Sequence, residues 1–153
     1  RKLILNNKST FNKYTDLLLY LSARSENMEL IKKNLRKKII LIDRFTDSTI
    51  AYQHYGMGVN LKLINDMNTF LLKGIKVDFT FLNTVSQKNM KNRLLKRKRL
   101  NRYDKFNYNF YQRVQKGFIK ILNKDSKKYM KIDSNLNIAD NEKIILNKIK
   151  DLI

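Results

Sequence analysis

"KIILIDRFTDSTIAYQHYGMG", Lys38 to Gly58, decides how this chain is read. Ile39 to Ile42 form a short continuous apolar run of β-branched type, the mark of a strand covered on both faces. It ends on Asp43 and Arg44. A hydroxyl-rich segment follows, then Tyr52, Gln53 and two glycines, in a chain with only four glycines and no proline. Ligands of open parallel sheets bind beyond the carboxyl ends of the strands, where the loops converge. Such a polar cluster just past an apolar run therefore predicts a binding site.

Working outward, Leu17, Leu18, Leu21, Met28, Ile31 and Leu35 recur at three- and four-residue spacings and predict an amphipathic helix over 14–36. Residues 60–74 repeat that spacing, with Gly74 as a left-handed C-terminal cap. Strands are predicted over 76–83 and 129–134, and helices over 87–98 behind the cap Ser86, over 107–123 and over 141–153. Strands alternating with helices imply crossovers and a parallel sheet, the α/β class. At 153 residues the expectation is one domain, 1–153.

The net charge of +20 points to an anionic partner: nucleic acid, an acidic membrane surface or phosphorylated small molecules. Lysine, asparagine and isoleucine recur throughout, so compositional bias accounts equally well for part of the lysine excess. Without cysteine the chain has no disulfide framework and no thiolate metal site. No apolar run approaches the roughly 20 residues that span a bilayer.

Asp43, Arg44, Phe45, Ser48, Thr49, Ala51, Tyr52, Gln53, Gly56 and Gly58 together resemble the "DRY..S..AYQ..G.G" signature of thymidylate kinases, which move the terminal phosphate of ATP onto dTMP. The rest of the chain agrees in order. "LLLYLSAR" is similar to that family's helix ending in an arginine, "GIKVDFTFLNT" to its "kPDLTfyLd" strand, "RLLKRKRLNRYD" to its lid, "FYQRVQKGF" to the following helix and "IDSNL" to its "iDa" turn. The resemblance implies a three-layer P-loop nucleoside monophosphate kinase-like parallel sheet with helices on both faces, and a lid at about residues 93–106.

It also implies roles. Arg44 matches the arginine that grips the nucleotide phosphate, for which a guanidinium fork is suited. Tyr20 matches an aromatic that stacks on thymine, Arg24 an arginine at the base edge, and Tyr52 the tyrosine packed against the deoxyribose. Ser48 completes the dTMP set. Thr49 and Gln53 supply the donor and acceptor that distinguish a pyrimidine edge. Read without the resemblance, Tyr20 and Arg24 are ordinary amphipathic-helix residues and Asp43 caps a turn; with it, Asp43 is a Walker-B-like carboxylate that holds Mg2+ through water. Arg93, Arg97 and Arg102 match lid arginines that neutralise charge on the transferring phosphoryl group and, with Arg44, form the catalytic set. Asn101 and Asp104 depart from the family's aspartate and glutamate. Lys96, Lys98 and Arg99 read as a solvated face, and His54 as an exposed loop residue without a role.

The resemblance further implies ATP and dTMP as substrates, a homodimer, a cytoplasmic location, and neither a membrane nor a nucleic-acid partner. One element of the pattern is missing. No G-x-x-x-x-G-K-[ST] phosphate loop occurs in the 153 residues; "NNKST", Asn6 to Thr10, lacks both glycines and follows no strand. Because "RKLIL" resembles a segment downstream of that loop, the expectation is truncation, with a βαβ unit of ~30 residues or more before Arg1 that carries the phosphate loop and the N-terminal strands. The absent strand would lie between residues 38–43 and 76–83, leaving two apolar edges open. The segment alone is then expected neither to transfer phosphate nor to fold robustly. The alternatives are a basic, ribosomal-type nucleic-acid-binding protein and a non-catalytic kinase paralogue.

Overall fold

The computed structural model describes residues 2–153, which form two compact units. The first comprises the chain up to Lys76 together with Asn101–Ile121; the second comprises Val77–Leu100 and Leu122–Ile153.

In the first unit, α1 (Lys2–Leu5) precedes the long helix α2 (Lys13–Asn34). Helix α2 starts where it does because the Asn12 side chain accepts hydrogen bonds from the amides of Tyr14 and Thr15, both at 2.9 Å. Past its end the chain turns, and α3 (Thr46–Thr49) runs directly into a π-helix, Ile50–Gly56. Helix α4 (Leu61–Leu72) is capped by Asn60 and stops at Lys73 and Gly74, both left-handed, as expected of Gly74. Leu17 and Leu21 of α2 pack with Val59 and with Ile64 of α4, and Ile50, Met67 and Leu71 close over them. This apolar cluster fixes α2 against α4 and the π-helix between them.

In the second unit, β1 (Thr80–Thr84) and β2 (Tyr129–Asp133) pair in parallel with Thr80 opposite Tyr129 and Thr84 opposite Asp133. Leu82 and Ile132 are the buried residues of the pair. Helix α5 (Gln87–Leu95), capped by Ser86 as expected, follows β1 in this unit; α6 (Tyr108–Lys124), later in the same crossover, belongs to the first unit as far as Ile121. Helix α7 (Ile138–Lys150) ends the unit.

Several expectations need correction. Residues 39–42 form no strand: none of the described residues pairs with them, and Ile39 and Leu41 are 65% and 79% exposed rather than covered. A strand needs a neighbour to receive its ladder bonds, and these residues taken alone are one of the open apolar edges anticipated above. Strand β1 begins four residues later than expected, because β2 starts opposite Thr80 and offers residues 76–79 no partner. Helix α7 begins earlier, because the Asn137 side chain accepts from the Asp140 amide at 2.8 Å and sets the first turn there. His54 is half-buried in the π-helix, where its Nδ1 lies 2.8 Å from the Val59 carbonyl oxygen and donates to it.

Candidate functional site

The residues from Tyr20 to Gln53 singled out by sequence lie in the first unit, on α2 and on the segment that follows Asp43. Arg24 is 8% exposed. Its Nη1 donates to Asn68 Oδ1 at 2.6 Å, and its Nη2 donates to Thr49 Oγ1 at 2.6 Å and to the Phe45 carbonyl at 3.0 Å. Burial lowers its pKa to about 10, with Asp47 working in the opposite direction, so the guanidinium stays protonated near neutrality among partners that are all neutral. Because Thr49 Oγ1 accepts from Arg24, the hydroxyl proton of Thr49 remains available to donate. Ser48 lies half-buried on the same short helix.

Arg44 has a left-handed backbone, φ 65°, although it is not glycine. Strain of this kind persists only where the surroundings over-determine it. Its guanidinium lies 5.2 Å from the Tyr52 ring centroid. Partial burial alone would lower its pKa, but Tyr52, Asp43 and Tyr20 outweigh that and raise it, so Arg44 is a permanent cation. Asp43 is exposed beside it.

Tyr103 joins these groups. Its ring meets Tyr20 and Tyr52 edge-on at 6.3 and 5.7 Å, and Tyr52 in turn meets Phe110 at 6.0 Å. The Tyr103 hydroxyl donates to Asp16, which is completely buried. Gln53, 1% exposed, donates from Nε2 to Asp16 Oδ2 and to the Tyr103 oxygen, both at 3.3 Å. The wider turn of the π-helix carries Tyr52 toward the aromatic rings and Gln53 toward the carboxylate; π-helical turns recur at functional sites.

Arg102 does not stand free in a lid. Its Nη1 donates to Asp16 Oδ1 at 2.5 Å and its Nη2 donates to the Phe11 carbonyl at 3.1 Å. Asn101 and Asp104 do not leave that turn unsupported: the Asn101 side chain accepts from the amides of Tyr103 and Asp104, and Asp104 accepts from the Asn101 amide at 3.0 Å. This is a reciprocal cap on one short turn. Arg93 and Arg97 belong to the second unit; Arg93 sits on α5 and donates from Nη2 to the Ser134 carbonyl at 2.5 Å, and Arg97 lies exposed just past that helix.

The family model for thymidylate kinase matches residues 1–145. The chain belongs to the thymidylate kinase family. A thymidylate kinase from Sulfurihydrogenibium sp. (strain YO3AOP1) is 32% identical over 137 residues, covering 88% of this chain and 66% of that protein. One from Mycoplasma capricolum is 34% identical over 160 residues, covering 99% of this chain and 75% of that protein. The crystal structure of thymidylate kinase from Ehrlichia chaffeensis superposes with a TM-score of 0.71 at 28% identity, over 94% of this chain and 67% of that one. The chain thus spans about two thirds of the length of these relatives. Its fold is that of the P-loop nucleoside monophosphate kinases, of which the described residues hold the helices and a small parallel sheet. Membership in this family removes the ribosomal-type alternative. Among the described residues no helix is long and apolar enough to cross a membrane.

In this thymidylate kinase-family chain, sequence reasoning overlooked Asp16, Asn68 and Tyr103. A signal for Asp16 was present: Asp16, Tyr20 and Arg24 recur every four residues on a helix face shared with the buried Leu17, Leu21 and Met28. Asn68 had none, because its acceptor role arises only where α4 meets Arg24.

Burial pushes the Tyr103 phenol well above its ordinary value, and its hydrogen bond to the Asp16 carboxylate pushes it the same way. A raised folded-state pKa contributes stability that is fully present below the unfolded phenol value of 10.0 and is lost as pH rises past it toward the folded value. In a spectrophotometric titration, at least one of the eight tyrosines is expected to ionise only as the protein unfolds. Reversible ionisation of all eight near the ordinary value would contradict this placement.

Proposed function

We propose that these residues form the dTMP half of an enzyme that transfers the γ-phosphoryl group of ATP to dTMP, giving dTDP and ADP. The observation that carries the reading is the meeting of Arg24 with Thr49, Arg44 with Tyr52, and Gln53 with Tyr103 in one unit of a thymidylate kinase-family chain. Arg44 holds the dTMP phosphate, an oxygen of which attacks the γ-phosphorus as the bond to the ADP oxygen breaks. Tyr20 stacks on thymine, Arg24 and Thr49 meet the base edge, Ser48 and Gln53 complete that wall, and Tyr52 packs against the deoxyribose. Arg93 and Arg97 neutralise the phosphoryl oxygens, the largest service a phosphoryl-transfer site provides. Arg102 is held by Asp16 and the Phe11 carbonyl, and we assign it to the dTMP side instead.

A divalent metal, Mg2+ by choice of ligands, fits the residues present in a limited sense. Among the described residues no group of three acidic, histidine or cysteine side chains converges. Mg2+ asks for only one or two carboxylates besides substrate phosphates, and exposed Asp43 supplies one. When bound, the metal would offset charge on the ATP phosphates. The homodimer and the cytoplasmic location implied by the resemblance are part of this proposal.

The test is turnover in a coupled assay. These 153 residues contain no phosphate loop and, taken alone, are expected neither to fold robustly nor to sustain ADP formation. The full-length protein is expected to form ADP and dTDP. A full-length protein that forms neither would overturn the reading.

A further inference from the structure

One group in the first unit has no place in the roles assigned so far. Asp16 is a fully buried carboxylate in the first turn of α2, one turn before Tyr20 and two turns before Arg24. Oδ1 accepts from Arg102 at 2.5 Å; Oδ2 accepts from the Tyr103 hydroxyl and from Gln53 at 3.3 Å. A single side chain therefore ties α2, the π-helix and the turn at 101–105 together. An ionised carboxylate only accepts, so each neighbour must turn a donor toward it: the Gln53 amide nitrogen rather than its oxygen, and the Tyr103 hydroxyl proton. With its hydroxyl anchored there, the Tyr103 ring stands edge-on to both Tyr20 and Tyr52, the two aromatics assigned to the base and the sugar.

We propose that Asp16 is a positioning residue of the nucleotide site: it holds Arg102, Tyr103 and Gln53 in the one arrangement that keeps the Tyr20 and Tyr52 rings in place for dTMP. This rests on the reading above. Arg102 is the counter-charge that makes a buried carboxylate tenable, because breaking a buried pair on one side leaves an uncompensated charge.

The test is Asp16→Asn in the full-length protein, a change that keeps the volume and removes the charge. The KM for dTMP is expected to rise at least 10-fold while the KM for ATP stays within about twofold. Arg102→Gln should raise the dTMP KM as well, and the double variant Asp16→Asn with Arg102→Gln should lose less than the two single losses multiplied, since neither partner is then left charged and alone. A lowered Tm with an unchanged dTMP KM well below the transition would mean a purely structural role and overturn the proposal, as would single losses that multiply fully. Should Asp16→Asn fail to fold, Tyr103→Phe keeps the ring and removes the hydroxyl; a smaller rise in dTMP KM is expected, and none would overturn the proposal. Wild-type protein that phosphorylates dTMP while Asp16→Asn matches it sinks this inference alone, whereas wild-type protein that ignores dTMP sinks the functional reading and this inference with it.

Discussion

Arg44→Gly is expected to weaken dTMP binding by about 30-fold to more than 1,000-fold while leaving the melting temperature nearly where it is. Truncating one partner of a desolvated, hydrogen-bonded charge pair typically costs about 2–5 kcal/mol, and each 1.4 kcal/mol is a factor of ten. The stability terms are smaller and oppose each other. At φ 65° an arginine pays roughly 1–2 kcal/mol that glycine does not. Against this stand the cation–π contact with Tyr52, about 0.5–1 kcal/mol at a partly exposed site, and the extra chain entropy of glycine, about 0.5–1 kcal/mol. Titration calorimetry with dTMP and with thymidine reads both halves. Thymidine has no phosphate, so its affinity should be unchanged. An equal loss for both ligands would mean that Arg44 shapes the pocket rather than gripping phosphate, and a collapse in melting temperature would mean that its backbone is not strained.

Gly117→Ala is expected to destabilise the protein by about 1–2 kcal/mol, opposite to what helix propensity alone says. In mid-helix, alanine is better than glycine by about 0.8–1 kcal/mol. Here the added methyl would lie 2.4, 2.6 and 2.8 Å from Tyr55 Cδ2, Cγ and Cβ. The Cβ contact decides the sign, because the ring can swing but Cβ is fixed to the π-helix backbone. Overpacking of this kind costs roughly 1–3 kcal/mol, which exceeds the propensity gain. A methyl added at Gly56 would likewise lie 2.6 Å from Phe110 and 2.9 Å from Val114, so the π-helix and α6 approach through a glycine on each side. Denaturant midpoints test the point. In a Tyr55→Gly background, which removes Cβ as well as the ring, the clash is gone, and Gly117→Ala should then cost little or add stability. Equal losses in both backgrounds would place the cause elsewhere.

How far the site was legible in the sequence differs from residue to residue. Tyr20, Arg24, Thr49 and Gln53 could be named because the resemblance to thymidylate kinases singled them out; helical periodicity by itself left Tyr20 and Arg24 as ordinary residues of an amphipathic helix. Local chemistry also announced the caps at Ser86 and Gly74, since each needs only its own side chain or backbone freedom. Two kinds of feature stayed hidden. The run at 39–42 has the composition of a strand, but a strand exists only through a neighbour, and the described residues offer it none. The attachment of Arg102 to Asp16 joins residues 86 apart in the chain, and no spacing rule reaches that distance. The resemblance placed Arg102 among the lid arginines and gave no sign of a buried carboxylate partner.

The sequence by itself determined where the longer helices lie and which caps start or stop them at Ser86 and Gly74, because periodicity and capping are properties of short stretches of chain. Tertiary structure alone decided how the polar and aromatic residues are partnered: that Arg24 is shared between Thr49 and Asn68, that Arg102 neutralises a buried carboxylate, and that Tyr103 stands between Tyr20 and Tyr52. Burial is the physical reason, since a donor or charge removed from water must find its partner within the protein, and only the packed chain determines which partner is within reach.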